Sequence, residues 1–146
     1  PRVDAQPGRA SVVGAPITGG TERILLVEDD PAVRNTTARM LRPLGYDVLE
    51  AGAADEALAM LGEVGDRLDM LLTDVVLPGL GGRLLAERAC AACPQLAVLF
   101  MSGYTEDVVL REQLLEQHVA LLQKPFSAGA LAAKVREVLD ARPAPG

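Results

Sequence analysis

Strand-like and helix-like segments alternate without a break between residues 22 and 141, and that alternation narrows the fold more than any other feature of the chain. Apolar runs at 23–28, 69–73, 96–101 and 119–123 read as strands, and Tyr46-Asp47-Val48-Leu49-Glu50 reads as another. Helical stretches come after them: from Pro31 to near Gly45, then about 54–64, 82–93 and 106–116, and a last one that Ser127 can cap. On that last stretch Leu131, Val135, Val138 and Leu139 fall on one face. Five β-α units in strict order imply a doubly wound α/β fold, a five-stranded parallel sheet with five helices on its two faces. The first, third and fourth strands are the most continuously apolar and belong in the middle. The second mixes polar residues into its run and belongs at an edge. At 146 residues, with 49% of them hydrophobic, the chain has material for one domain with a real core.

The flanks differ in composition. Residues 1–21 are rich in Pro, Gly, Ala and Thr without apolar periodicity and read as a linker; the domain occupies 22–141, and 142–146 form a tail. The chain starts at Pro1 rather than Met, so a piece of a longer protein is expected. Its first residues lack the apolar core of a secretory signal. The longest apolar run, about six residues, is far short of a membrane span. A reducing, cytoplasmic setting is expected, whether or not a parent protein is membrane-associated. Acidic residues outnumber basic ones 20 to 14, a net charge of −6, which disfavours nonspecific binding to nucleic acid or anionic membrane. With 3% aromatics and no Trp, base-stacking platforms are excluded as well.

Chemistry concentrates where the strands stop. Asp29 and Asp30 follow Ile24-Leu25-Leu26-Val27, and Asp74 follows Met70-Leu71-Leu72-Thr73. The run Leu96 to Met101 ends in Ser102, and Val119-Ala120-Leu121-Leu122 leads into Lys124-Pro125. Open parallel sheets gather functional groups at the carboxyl ends of their strands. Four strand ends would thus bring carboxylates, a hydroxyl and an amine to one crevice. Clustered carboxylates repel unless a cation sits among them, and hard oxygen ligands suit Mg²⁺. A Lys beside them suits phosphoryl chemistry.

Each residue also has a plainer reading. Asp30 before Pro31 fits an N-cap, a role compatible with metal binding nearby. Asp74 is harder to explain structurally, because more apolar residues come after it and a buried carboxylate is costly unless paired or metal-bound. Ser102 and Lys124 gain meaning only from position.

The set resembles the receiver (response regulator) domain of two-component phosphorelays. The resemblance is carried by Leu25-Leu26-Val27-Glu28-Asp29-Asp30-Pro31, by Leu72-Thr73-Asp74-Val75-Val76-Leu77-Pro78-Gly79-Leu80-Gly81-Gly82, by Phe100-Met101-Ser102-Gly103-Tyr104 and by Gln123-Lys124-Pro125-Phe126. It implies a flavodoxin-like sheet of strand order 2-1-3-4-5. It implies Asp74 as phosphoacceptor, Asp29 and Asp30 with Asp74 and the Val76 backbone carbonyl as the Mg²⁺ ligands, and Ser102 and Lys124 as the hydroxyl and amine that meet the phosphoryl group. The implied partner is a histidine kinase or its phosphohistidine domain, in the same chain or another, with a histidine phosphotransfer protein downstream.

One position departs from the family. Leu121 stands three residues before Lys124, where receivers usually carry a Tyr or Phe, so the isolated domain is expected to be a monomer. Val76 and Tyr104 should flank the approach of water to the phosphoryl group and keep its hydrolysis slow. The opening Pro1-Arg2-Val3-Asp4 is similar to the stretch just after the last kinase strand in hybrid histidine kinases, and that context is expected over a stand-alone regulator. An aspartate-nucleophile phosphatase would want a second acid two residues after Asp74, where Val76 stands. Cys90-Ala91-Ala92-Cys93 sits late in a helix and reads as small core residues. His118, the only histidine, adds no metal set. The Gly14-to-Thr21 stretch lacks the Lys of a phosphate loop.

Overall fold

The computed structural model describes residues 19–103 and 119–141. Its strands are β1 (Arg23–Val27), β2 (Asp47–Ala51), β3 (Met70–Asp74), β4 (Ala97–Ser102) and β5 (Leu121–Gln123). Its α-helices are α1 (Pro31–Leu41), α2 (Ala54–Val64), α3 (Gly82–Ala92) and α4 (Ala128–Ala141). The helix expected over 106–116 lies outside the described residues, as do His118 and most of the two flanks. All strand pairs are parallel, in the order β2-β1-β3-β4-β5, which is the expected doubly wound arrangement. The apolar β1, β3 and β4 are interior, and β2, with exposed Asp47 and half-buried Glu50, is an edge.

Period-two alternation divides the core into two layers. Leu25, Val27, Leu71 and Phe100 face α2 and α3, where Ala57, Leu61, Leu85 and Ala89 close the packing. Ile24, Leu26, Met70, Leu72, Leu99 and Met101 face the other way, onto Ala38 and Leu41 of α1 and Leu131, Val135 and Leu139 of α4. Val138, expected on that face, is half-buried at its margin. Pro43 stands in a 3-10 turn, Arg42–Leu44, that ends α1 early, and Gly45 turns the chain at φ 104°. A left-handed φ of this kind costs Gly no Cβ clash. Ser127 Oγ accepts from the Ala130 N–H at 3.0 Å and caps α4.

At the amino end of the sheet, Arg136 of α4 grips the chain as it enters β1. Its Nη1 and Nη2 donate to Glu22 at 3.1 and 2.7 Å, its Nη2 to Asp140 at 2.7 Å, and its Nη1 to the Gly19 carbonyl at 3.3 Å. Those bonds hold the Glu22 carboxyl below its ordinary 4.5 against the opposing pull of burial. A depressed carboxyl contributes stability above its unfolded pKa and loses it as pH falls through the folded value. Arg136→Ala should therefore cost about 1–2 kcal/mol at pH 7, the range of a partly buried charge-assisted pair. The deficit should shrink as pH drops below about 4.5, which urea melts at pH 7 and pH 3.5 would measure.

Candidate functional site

The carboxyl ends of β1, β3, β4 and β5 meet at one rim. Register puts Val27 beside Thr73, Asp74 beside Met101 and Ser102 beside Gln123, so the residues just past each strand share a crevice. The Lys124 N–H donates to the Ser102 carbonyl at 2.8 Å and extends the β5 ladder one residue into the site.

Asp74 closes β3 and is 3% exposed. Its Oδ2 accepts from Lys124 Nζ at 2.8 Å, and the same ammonium donates to Glu28 Oε2 at 3.0 Å. Lys124 thus spans two buried carboxylates. Burial alone would lower its affinity for the proton, but the bonds to Asp74 and Glu28 outweigh it and raise the pKa. Glu28, 1% exposed, moves up to about 7, since loss of solvent outweighs the pull of Lys124 and Asp74 adds like-charge repulsion.

Two buried oxygens of the crevice have no hydrogen-bond partner among the described residues: Asp74 Oδ1 and Ser102 Oγ. Leaving such groups bare costs about 1–3 kcal/mol each. Buried groups of this kind are normally met by an ordered water, an ion or a bound group. Carboxylate oxygens of Glu28, Asp29 and Asp74 lie within 4.8 Å of one another, a spacing that fits one small divalent cation. Asp30 is outside that group. Its Oδ1 accepts from the N–H groups of Ala32 at 2.9 Å and Val33 at 3.4 Å and caps α1.

The structure places Asp74, Lys124 and Ser102 at one rim, and of the three consecutive acids it sets Glu28 and Asp29 beside Asp74 while Asp30 caps α1. Glu28 is the group that sequence reasoning missed. Pro31 at the first helical position was the signal: it assigns Asp30 to the cap and leaves Glu28 and Asp29 for the crevice. Val76 lies on the loop after β3 with its side chain 53% exposed. Leu121 is half-buried against the layer that faces α2 and α3. Tyr104 lies outside the described residues. No described helix is long and apolar enough to cross a membrane. Cys93 is buried, with its thiol donating to the Gly65 carbonyl at 3.1 Å, and Cys90 is half-buried, consistent with small core residues.

The chain has relatives among two-component signalling proteins. The sensor kinase CckA of Brucella abortus (strain 2308) is 38% identical over 121 residues, 83% of this chain but 13% of that protein. The chain therefore corresponds to a small part of that kinase. The response regulator receiver protein CpdR of the same organism is 31% identical over 120 residues, 82% of this chain and 98% of that one. Among solved structures, the receiver domain of the hybrid histidine kinase CckA superposes with a TM-score of 0.67 at 37% identity, covering 80% of this chain and 98% of that one. The family model for the response regulator receiver domain matches residues 24–136, from the first core residue of β1 into α4. That span takes in every strand end on the rim, and the chain belongs to the response regulator receiver family of two-component signalling.

Proposed function

We propose that this domain accepts a phosphoryl group from a phosphohistidine onto Asp74 in a Mg²⁺-dependent reaction. The observation that carries the reading is Asp74 itself, buried, with one oxygen on Lys124 and the other without a partner among the described residues. An Asp74 oxygen forms the new bond to phosphorus as the phosphorus–nitrogen bond breaks, and that electron pair leaves with the imidazole. Lys124 stabilises the equatorial oxygens through charge, and the Ser102 hydroxyl is placed to donate to one of them after transfer. Glu28, Asp29 and Asp74, with the Val76 backbone carbonyl, would hold the metal. Bound Mg²⁺ offsets repulsion between these carboxylates and the phosphoryl oxygens.

A groove of about 440 Å³ opens beside Lys124, floored by Ala32, Val33, Thr36 and Met40 of α1 and walled by Pro125 and Phe126. It supports docking of a phosphohistidine-bearing helix with its donor over Asp74. The likeness to CckA supports a cytoplasmic receiver within a hybrid histidine kinase that passes phosphate to a histidine phosphotransfer protein. The coverage of CpdR supports a stand-alone regulator as the second reading. As an isolated domain it is taken to be a monomer, because Leu121 replaces the aromatic coupled to the dimerising face.

Calorimetric titration with Mg²⁺ tests the site. Wild type should bind, and Asp74→Ala should weaken binding by at least about tenfold. Asp30→Ala should leave affinity within about twofold while costing about 1 kcal/mol of stability as a lost cap. A wild-type chain that does not bind Mg²⁺ sinks the reading. Weakening in Asp30→Ala as large as in Asp74→Ala would return Asp30 to the ligand set.

A further inference from the structure

We infer that Gly82 is a positioning residue for Asp74, and that its lack of a side chain sets where the phosphoacceptor carboxylate lies. The inference rests on the role proposed for Asp74 and concerns how that carboxylate is held.

Gly82 opens α3, eight residues along the chain from Asp74. Its backbone lies flat against the end of β3. A Cβ built there would overlap the carbonyl oxygen of Asp74 and lie 3.0 Å from both the Asp74 carbonyl carbon and the Val75 oxygen. The neighbours it would strike are backbone, with no rotamer by which to yield.

The Asp74–Val75 peptide and the one that follows it are held by three hydrogen bonds. Thr73 Oγ1 donates to the Asp74 carbonyl at 3.0 Å, and the Val75 N–H donates to the Met101 carbonyl at 2.9 Å. Gly82 itself supplies the third, its N–H donating to the Val75 carbonyl at 3.0 Å. A methyl group at Gly82 must push this peptide back into the sheet or lift α3 away from it. Either movement rotates the Asp74 Cα–Cβ bond and shifts Oδ2 from Lys124 Nζ, now 2.8 Å away, and from the oxygens of Glu28 and Asp29. Misplacement of a reacting group by about 1 Å can cost on the order of 10²-fold in rate.

Neighbouring glycines supply a built-in control. Gly79 and Gly81 take left-handed φ values of 79° and 84°, yet a Cβ on either would meet nothing within 4 Å. An Ala there strains the backbone without touching Asp74. Gly82 shows the converse: its φ is ordinary and its space is filled.

The test compares wild type, Gly81→Ala and Gly82→Ala at a temperature where circular dichroism shows all three folded. Mg²⁺ affinity comes from calorimetry and the rate of phosphoryl gain from labelling with acetyl phosphate. Gly81→Ala should lower the melting temperature but keep both quantities within about twofold of wild type. Gly82→Ala should weaken Mg²⁺ binding about tenfold and slow labelling on the order of 10²-fold. If Gly82→Ala binds and labels like Gly81→Ala, the inference is wrong, while the role of Asp74 stands. Loss of the fold in Gly82→Ala also overturns it, because the contact would then hold the domain together rather than place the carboxylate. A wild type that neither binds Mg²⁺ nor labels defeats the reading of Asp74 instead.

Discussion

With Mg²⁺ and acetyl phosphate, wild-type protein should gain one phosphoryl group and Asp74→Asn none. The expected effect is complete because the substitution removes the nucleophile and little else. Asn has nearly the shape of Asp, so the end of β3 keeps its packing. Its amide, however, offers Lys124 a neutral oxygen in place of the carboxylate oxygen now 2.8 Å from Nζ. An amide is too weak a nucleophile to displace a phosphoryl leaving group. The wild-type adduct should be an acyl phosphate, discharged by base and by hydroxylamine. Radiolabel that survives hydroxylamine, or that persists in Asp74→Asn, would place the phosphate on another residue and end the assignment.

Lys124→Ala should move two quantities in opposite directions. Without the ammonium, Glu28 and Asp74 remain buried side by side with no countercharge. Breaking a buried pair by removing one partner costs about 3–5 kcal/mol, and the 20% exposure of the Lys124 side chain places this case at the low end. Burial already lifts Glu28 to about 7 in the wild type, and loss of Lys124 lifts it further. A raised carboxyl binds more protons folded than unfolded, so stability falls as pH climbs from the ordinary 4.5 through about 7. The variant should thus be closer to wild type at pH 5 than at pH 8. Magnesium should recover part of the deficit and bind more tightly than in wild type, since Lys124 no longer competes for both carboxylates. Phosphoryl gain should nonetheless slow by about 10²–10³-fold, the cost of losing one stabilising donor. Denaturant melts with and without Mg²⁺, paired with labelling rates, separate these effects. Undiminished labelling would mean that Lys124 is only a structural counterion.

Strand positions and their order in depth were legible from apolar continuity, because a strand buried on both faces cannot carry the polar residues of Asp47 and Glu50. The crevice was legible from the residues that stand at each strand end. Three consecutive acids were harder to tell apart. Glu28, Asp29 and Asp30 are chemically near-equivalent in sequence, and only the start of α1 decides which one the helix takes. Contacts between distant residues were beyond reach for another reason. Arg136 and Glu22 meet across 114 positions, and Gly82 touches Asp74 through backbone alone, so no periodicity records either.

The grip of Arg136 on Glu22 and Gly19 has a mechanical meaning. Entry into β1 and the last turns of α4 are fastened together at one pole of the domain, and the acidic crevice opens at the other. Five residues of strand separate them, roughly 16 Å. A pull applied at Gly19 or at the end of α4 would act first on this small knot, away from the crevice. The fastening and the crevice therefore sit at opposite ends of the sheet, and strain at the first is separated from Asp74 by the whole length of β1.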